Sequence, residues 1–305
     1  MRRFAGIFPV LQTPFDEKGE IDTDSLRAEV EFCLQAGAHG LVVPATASEF
    51  FALTDSERFR VAEIVLEQTC GRVPVIVGTS GVSKQAAVAF TAHAVAHGAD
   101  GIMAMPPYVR RPDEASVFAY YEAVAEAARD RPVIVQNAPP PLGTPLSVPA
   151  LVRLMERVEN IRYVKEEVSP AGPRISALNQ TAGGRLLGVF GGSNGLWLLN
   201  ELDHGACGNM PASALVDVHV RIYTLYTSGK REEAEALSLK ILPLLNLGSQ
   251  FGVAFAKELL RMRGVIRTAV VRDPQASTLD EIDIAELKRY WERLNRELAV
   301  GDGLC

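Results

Sequence analysis

The chain of 305 residues is 48% hydrophobic, 22% charged and 7% aromatic, with a net charge of −6. This suits one large α/β domain with an appendage, and the lack of basic clusters or aromatic–basic interleaving argues against nucleic acid and membrane partners. The four cysteines (Cys33, Cys70, Cys207 and Cys305) show no C-x-x-C spacing and read as buried or incidental thiols of a reducing cytoplasm.

Residues 4–13 form an apolar run broken by Pro9, with Pro14 just beyond it, too short for a signal or spanning segment. Leu26, Val30, Cys33 and Leu34 recur at helical spacing until Gly37, and Leu41-Val42-Val43 is a short buried strand. Thr54 and Glu57 form a capping box that opens the next helix. Strand 73–78, helix 83–97, strand 102–105 and a helix capped by Asp113 follow. Strand 132–136, helix 147–157 and strand 161–166 come next. A strand at 186–190, a helix from about Gly195, a strand near Cys207 and a helix from Ala212 complete the alternation.

The strands are continuous apolar runs, as in parallel sheets covered on both faces. Gly37-Ala38-His39-Gly40, Gly98-Ala99-Asp100-Gly101 and Gly205-Ala206-Cys207-Gly208 each mark a helix-to-strand junction, so one unit recurs. Eight such units predict a (β/α)8 TIM barrel over residues 1–228. Residues 229–305 are expected to form a helical appendage of three helices, at 231–247, 249–263 and 283–298, without chemistry of its own.

In such a barrel the reacting groups lie at the carboxyl ends of the strands. Strand 161–166 ends in Val164-Lys165-Glu166-Glu167; alternation puts Lys165 and Glu167 on one face and Glu166 on the other. A partly desolvated lysine there is a candidate nucleophile towards a carbonyl. The loop Thr46-Ala47-Ser48 offers hydroxyls and amides for a carboxylate. Tyr108, Gln136, Gly192 and Asn194 also fall at strand ends, with Asn194 expected to contact a substrate hydroxyl. The glycine-rich turn 191–195 is weak evidence for a phosphate cradle. His93 and His97 have metal-ligand spacing on one helix, but with no third ligand signalled they read as a surface pair. Asp203 and Glu201 read as solvated faces.

Taken together, the motifs resemble the dihydrodipicolinate synthase / N-acetylneuraminate lyase superfamily of class I Schiff-base enzymes, from about Gly6 to Leu298. Ala45-Thr46-Ala47-Ser48-Glu49 is similar to its G-T/S-T-G-E motif, Pro107-Tyr108-Val109 to P-Y-Y, Gln136-Asn137-Ala138-Pro139 to Y-N-x-P, and Val164-Lys165-Glu166 to I-K-E. The resemblance implies a Schiff base between Lys165 and a 2-keto acid, and a homo-oligomer, tetramer or dimer. Neither metal nor organic cofactor is expected, because the Schiff base is itself the electron sink.

The departures from the family pattern point to the reaction. Gln136 stands where the family has its catalytic tyrosine, and an amide cannot exchange a proton usefully. Val109 replaces a second tyrosine and Pro141 the arginine that binds a second carboxylate in the synthases, while Glu167 stands where a small residue is usual. That pattern resembles the subgroup that dehydrates 2-keto-3-deoxy-pentonates such as L-2-keto-3-deoxyarabonate. The alternatives are a retro-aldolase acting on a similar sugar acid and a non-catalytic sugar-acid binder.

Overall fold

A computed structural model describes residues 3–141 and 143–301; Cys305 lies outside them. Eight parallel strands are laid down in chain order: β1 (Gly6–Ile7), β2 (Leu41–Val43), β3 (Val75–Gly78), β4 (Gly101–Ala104), β5 (Val133–Asn137), β6 (Ile161–Glu166), β7 (Gly188–Gly191) and β8 (Gly208–Asn209). From β2 to β8 each strand pairs with its sequence neighbours, and β1 pairs with β8. Val10, just beyond β1, bridges to both Val42 and Ala212, which closes the sheet into the expected barrel.

The helices between strands are α1 (Thr23–Gln35), α2 (Asp55–Thr69), α3 (Lys84–Ala96), α4 (Glu114–Ala128), α5 (Val148–Arg157), α6 (Ala171–Thr181), α7 (Leu198–Asp203) and α8 (Val216–Thr227). Two caps fall where the sequence places them: Thr54 and Glu57 close a capping box on α2 and Asp113 caps α4; Ser83, read as the first residue of its helix, is the N-cap of α3. Helix α6 had no clear sequence signal, because Pro170, Gly172 and Pro173 give its first turn the look of a loop. Proline is tolerated there, since the first amides of a helix have no intrahelical acceptor anyway.

Alternation along the strands makes two cores. Val42, Ile76, Met103, Ile134, Tyr163 and Phe190 point inward and fill the barrel with Phe4 and Phe8. Their neighbours Leu41, Val43, Val75, Val77, Val133, Val135 and Val164 point outward against the helices. The repeated G-x-x-G serves both ends of its junction. Gly37, Gly98 and Gly205 adopt positive φ after helices, while a side chain at Gly40 would stand 2.1 Å from the Phe8 ring and one at Gly101 2.9 Å from Phe4.

The C-terminal extension consists of α9 (Arg231–Met262) and α10 (Glu281–Gly301). Helix α9 is interrupted at Gly252 (φ 50°, ψ −119°), so the break lies four residues beyond the Gly248 expected from the sequence. Helix α9 is long and apolar enough to cross a membrane by composition alone. Leu237, Ile241, Leu244 and Leu245 are instead packed into the protein core, and Lys257 further along the helix is buried in an ion pair.

Candidate active site

Strand β6 supplies the centre of the site. Tyr163 points into the barrel, so Lys165, two residues on, also points inward, one layer nearer the carboxyl mouth. Gln136 is its register partner on β5, two residues after inward-facing Ile134. The Glu167 amide donates to Asn137 O (3.0 Å), which extends the ladder by one residue and holds Glu167 on the lysine's side. Glu167 Oε1 lies 3.1 Å from Lys165 Nζ, and Gln136 Nε2 donates to Glu167 Oε2 at 2.9 Å. The carboxylate is thus gripped on both oxygens, beside a buried amine.

Glu166 faces the other way, as alternation requires. It is fully buried against Arg174 of α6 (3.1 Å), accepts from Asn137 Nδ2 (2.9 and 3.1 Å) and from the Val168 amide (2.9 Å). Burial raises its carboxyl, while Arg174 and Asn137 oppose the shift. It is a strut between β5, β6 and α6, and Asn137 belongs to the same structural network.

Above Lys165 and Glu167 opens a cavity of about 380 Å³. Thr46 and Ala47 line it from the loop after β2. They start a short helical turn (46–48), so their amides have no acceptor within that turn and are available to an anion. Ser48 corrects the expectation of a substrate contact. Its hydroxyl is buried, donates to Leu11 O (2.5 Å) and accepts from the Ala45 amide (3.0 Å), so it fixes the loop. Tyr108 is likewise not among the cavity's lining residues; it packs edge-on against Phe50 with ring centroids 5.5 Å apart. Gln136 lies beneath the cavity, with Nε2 also 3.4 Å from Thr46 Oγ1.

The turn after β7 is backbone-strained: Ser193, Asn194 and Gly195 all have positive φ (49°, 53° and 74°). Asn194 lines the cavity, and its Oδ1 accepts from the Ala212 amide (3.0 Å), which ties the turn to the segment after β8 and leaves Nδ2 as the donor. Beneath Gly195 lies His219 of α8, fully buried and pushed down to about 4 by burial, hence neutral. Gly192 contributes by lacking a side chain: a Cβ there would sit 2.5 Å from Glu167 Cγ and Oε1.

Two further features escape the sequence reading. Glu201 of α7 is not solvated but 1% exposed; it accepts from Asn209 Nδ2 (2.7 Å), and burial pushes its carboxyl up to about 7. Its charge interacts with those of Glu167 and Lys165. The available signal is its place three residues after Leu198 and beside Leu202, on the buried stripe of α7. Nor is the C-terminal extension inert. Gly248 to Val253, Asp273 and Gln275 to Ser277 form one wall of the cavity. Glu49, at φ 55°, locks that wall to the Thr46 loop by pairing with buried Lys257 and accepting from the amides of Arg272 and Asp273 (both 2.7 Å).

Comparison with known proteins agrees with the fold. Residues 3–289 match the model of the Dihydrodipicolinate synthetase family. The L-2-keto-3-deoxyarabonate dehydratase of Azospirillum brasilense is 38% identical over 89% of this chain and 89% of its own length. A 4-hydroxy-tetrahydrodipicolinate synthase of Methanothrix thermoacetophila is 32% identical over 79% of this chain and 81% of its own. A prophage protein of Escherichia coli K12 belonging to the dihydrodipicolinic acid synthase family, solved in complex with pyruvate, superposes with a TM-score of 0.88 at 27% identity, covering 96% of this chain and 99% of its own. The chain belongs to the dihydrodipicolinate synthetase family, whose members include dehydratases and synthases.

Proposed function

We propose that this enzyme dehydrates a 2-keto-3-deoxy sugar acid, a 2-keto-3-deoxy-pentonate such as L-2-keto-3-deoxyarabonate, to 2-oxoglutarate semialdehyde through a Schiff base on Lys165. The observation that carries the reading is the Gln136–Glu167–Lys165 arrangement: a carboxylate 3.1 Å from the amine, oriented by an amide that cannot itself move protons. The 38% identity to an L-2-keto-3-deoxyarabonate dehydratase supports the substrate class.

In the proposed reaction the amides of Thr46 and Ala47 hold the C1 carboxylate. The Lys165 amine adds to the C2 ketone, and loss of water gives the iminium. The iminium acidifies C3, Glu167 removes a proton there, and the resulting enamine expels the C4 hydroxyl. Protonation lets that hydroxyl leave as water. Glu167, which holds the proton taken from C3, returns it to that hydroxyl, while Asn194 Nδ2, facing the same cavity, hydrogen-bonds the departing oxygen. Tautomerisation and hydrolysis of the imine then return the amine.

The C-terminal extension brings Ser249, Gln250, Gln275 and Ser277, with Asp273, to the cavity lining, where Lys165 is the sole cation. That suits a neutral hydroxylated tail and disfavours a second carboxylate. A homo-oligomer and a cytoplasmic location complete the proposal, in keeping with the exposed Val109 and Trp197 and the free cysteines Cys33, Cys70 and Cys207. The test is to incubate the enzyme with 2-keto-3-deoxy-pentonates and -hexonates and assay semialdehyde and pyruvate separately. Semialdehyde is expected. Pyruvate with an aldehyde would establish the retro-aldolase instead, and neither product would favour the binder.

A further inference from the structure

The search outside the cavity leads to the outer helix layer. His93 and His97 lie one turn apart on α3, and Glu63 of neighbouring α2 reaches over them. Glu63 Oε1 lies 2.8 Å from His93 Nε2 and 3.6 Å from His97 Nε2, and the three candidate ligand atoms lie within 4.8 Å of one another. A tetrahedral zinc site with bonds of about 2.0–2.1 Å sets its ligand atoms about 3.3 Å apart, so the observed spacings straddle that separation. Small side-chain rotations suffice to meet it.

A second observation points the same way. His97 Nδ1 lies 2.9 Å from the backbone carbonyl of His93, an acceptor only, so Nδ1 carries the proton. In the neutral ring the lone pair is then on Nε2, the atom that faces Glu63. A ring whose second nitrogen is anchored to a carbonyl is the arrangement that orients metal-bound histidines. The His93 ring is braced in turn by Phe59, with ring centroids 4.2 Å apart. A cleft formed with Thr23, Arg27 and Arg60 opens beside the cluster and gives an ion and its waters a way in, and the Arg27 charge there is paired with Glu67 at 2.7 Å.

We propose that Glu63, His93 and His97 form a surface site for one Zn²⁺ ion. Two imidazole nitrogens and one carboxylate oxygen ligate it, and water fills the fourth position. On binding, the metal takes the place of the proton that His93 Nε2 now donates to Glu63. The ion staples α2 to α3 on the outside of the barrel and takes no part in the reaction at the mouth.

The test uses the full chain, stripped with chelator, desalted and titrated with ZnCl2 by calorimetry; Co²⁺ absorption reports tetrahedral ligation. One equivalent should bind with a Kd of about 1–10 µM. Binding should weaken at least tenfold in Glu63→Gln and disappear in the His93→Ala/His97→Ala double variant. Zinc at a hundredfold excess over Kd should also raise the melting temperature by about 5 °C. Absence of saturable binding at about 100 µM Zn²⁺, or binding unchanged in both variants, would overturn the site and leave an ordinary surface ion pair. Should the double variant fold poorly, Glu63→Gln, which keeps the side-chain shape, decides.

Discussion

At the scale of single residues, the site is defined as much by what is missing as by what is present. Gly192 must lack a side chain for Glu167 to lie beside Lys165, since an added methyl group would overlap its carboxylate. Gly192→Ala is therefore expected to lower kcat at least tenfold, because displacing a catalytic group by about 1 Å costs on the order of 10²-fold. The melting temperature should change little, and steady-state kinetics beside a thermal melt would separate the two effects. Glu201 gives a pH signature. Its carboxyl is raised to about 7 in the folded protein, above the ordinary value of 4.5. The folded state therefore binds more protons than the unfolded state between those values, and stability falls as pH rises from 4.5 to about 7, then levels off. The loss is on the order of 3 kcal/mol. Glu201→Gln, which stays neutral, should flatten that part of the profile in denaturant melts from pH 5 to 8. The contribution of Glu29, also buried and raised to about 7, will remain in both proteins.

At the scale of elements, β6 was legible because alternation alone assigns Lys165 and Glu167 to the barrel and Glu166 to the helix layer. The same period places Gln136 beside Lys165 once β5 and β6 are in register. What stayed hidden depends on contacts between distant segments. Nothing in the local sequence tells that Ser48 spends its hydroxyl on Leu11, that Glu63 of α2 reaches His93 of α3, or that α9 walls the cavity. Glu201 differs, since the helical stripe of Leu198 and Leu202 puts it on the buried face of α7 although its charge favours the solvent. The joint between barrel and extension rests on the fully buried pair of Lys257 and Glu49. Lys257→Met leaves a buried carboxylate unpaired and should cost about 3–5 kcal/mol, measured as a shift in denaturant midpoint. A cost below about 1 kcal/mol would show that the amides of Arg272 and Asp273 hold Glu49 unaided.

At the scale of the whole molecule, the barrel supplies a rigid ring of strand ends, and the C-terminal extension closes over it to make a cavity of about 380 Å³. The division of labour predicts that the proposed zinc site and the chemistry are independent. Chelator treatment should strip zinc from α2 and α3 yet leave turnover unchanged, because the electron sink in the proposed mechanism is the protonated Schiff base. Activity lost with chelator and restored by one divalent ion would contradict that separation. The central claim is that Lys165 binds the keto acid covalently while Glu167 moves the C3 proton. It is tested most directly by following C3 deuterium exchange and turnover in Glu167→Gln, alongside borohydride trapping of its adduct. The account predicts that the adduct still forms on the peptide holding Lys165, that C3 exchange disappears, and that turnover falls about 10²–10⁴-fold, the usual worth of a positioned general base. Normal exchange and turnover in Glu167→Gln would contradict it and reduce Glu167 to a charge at the end of a strand.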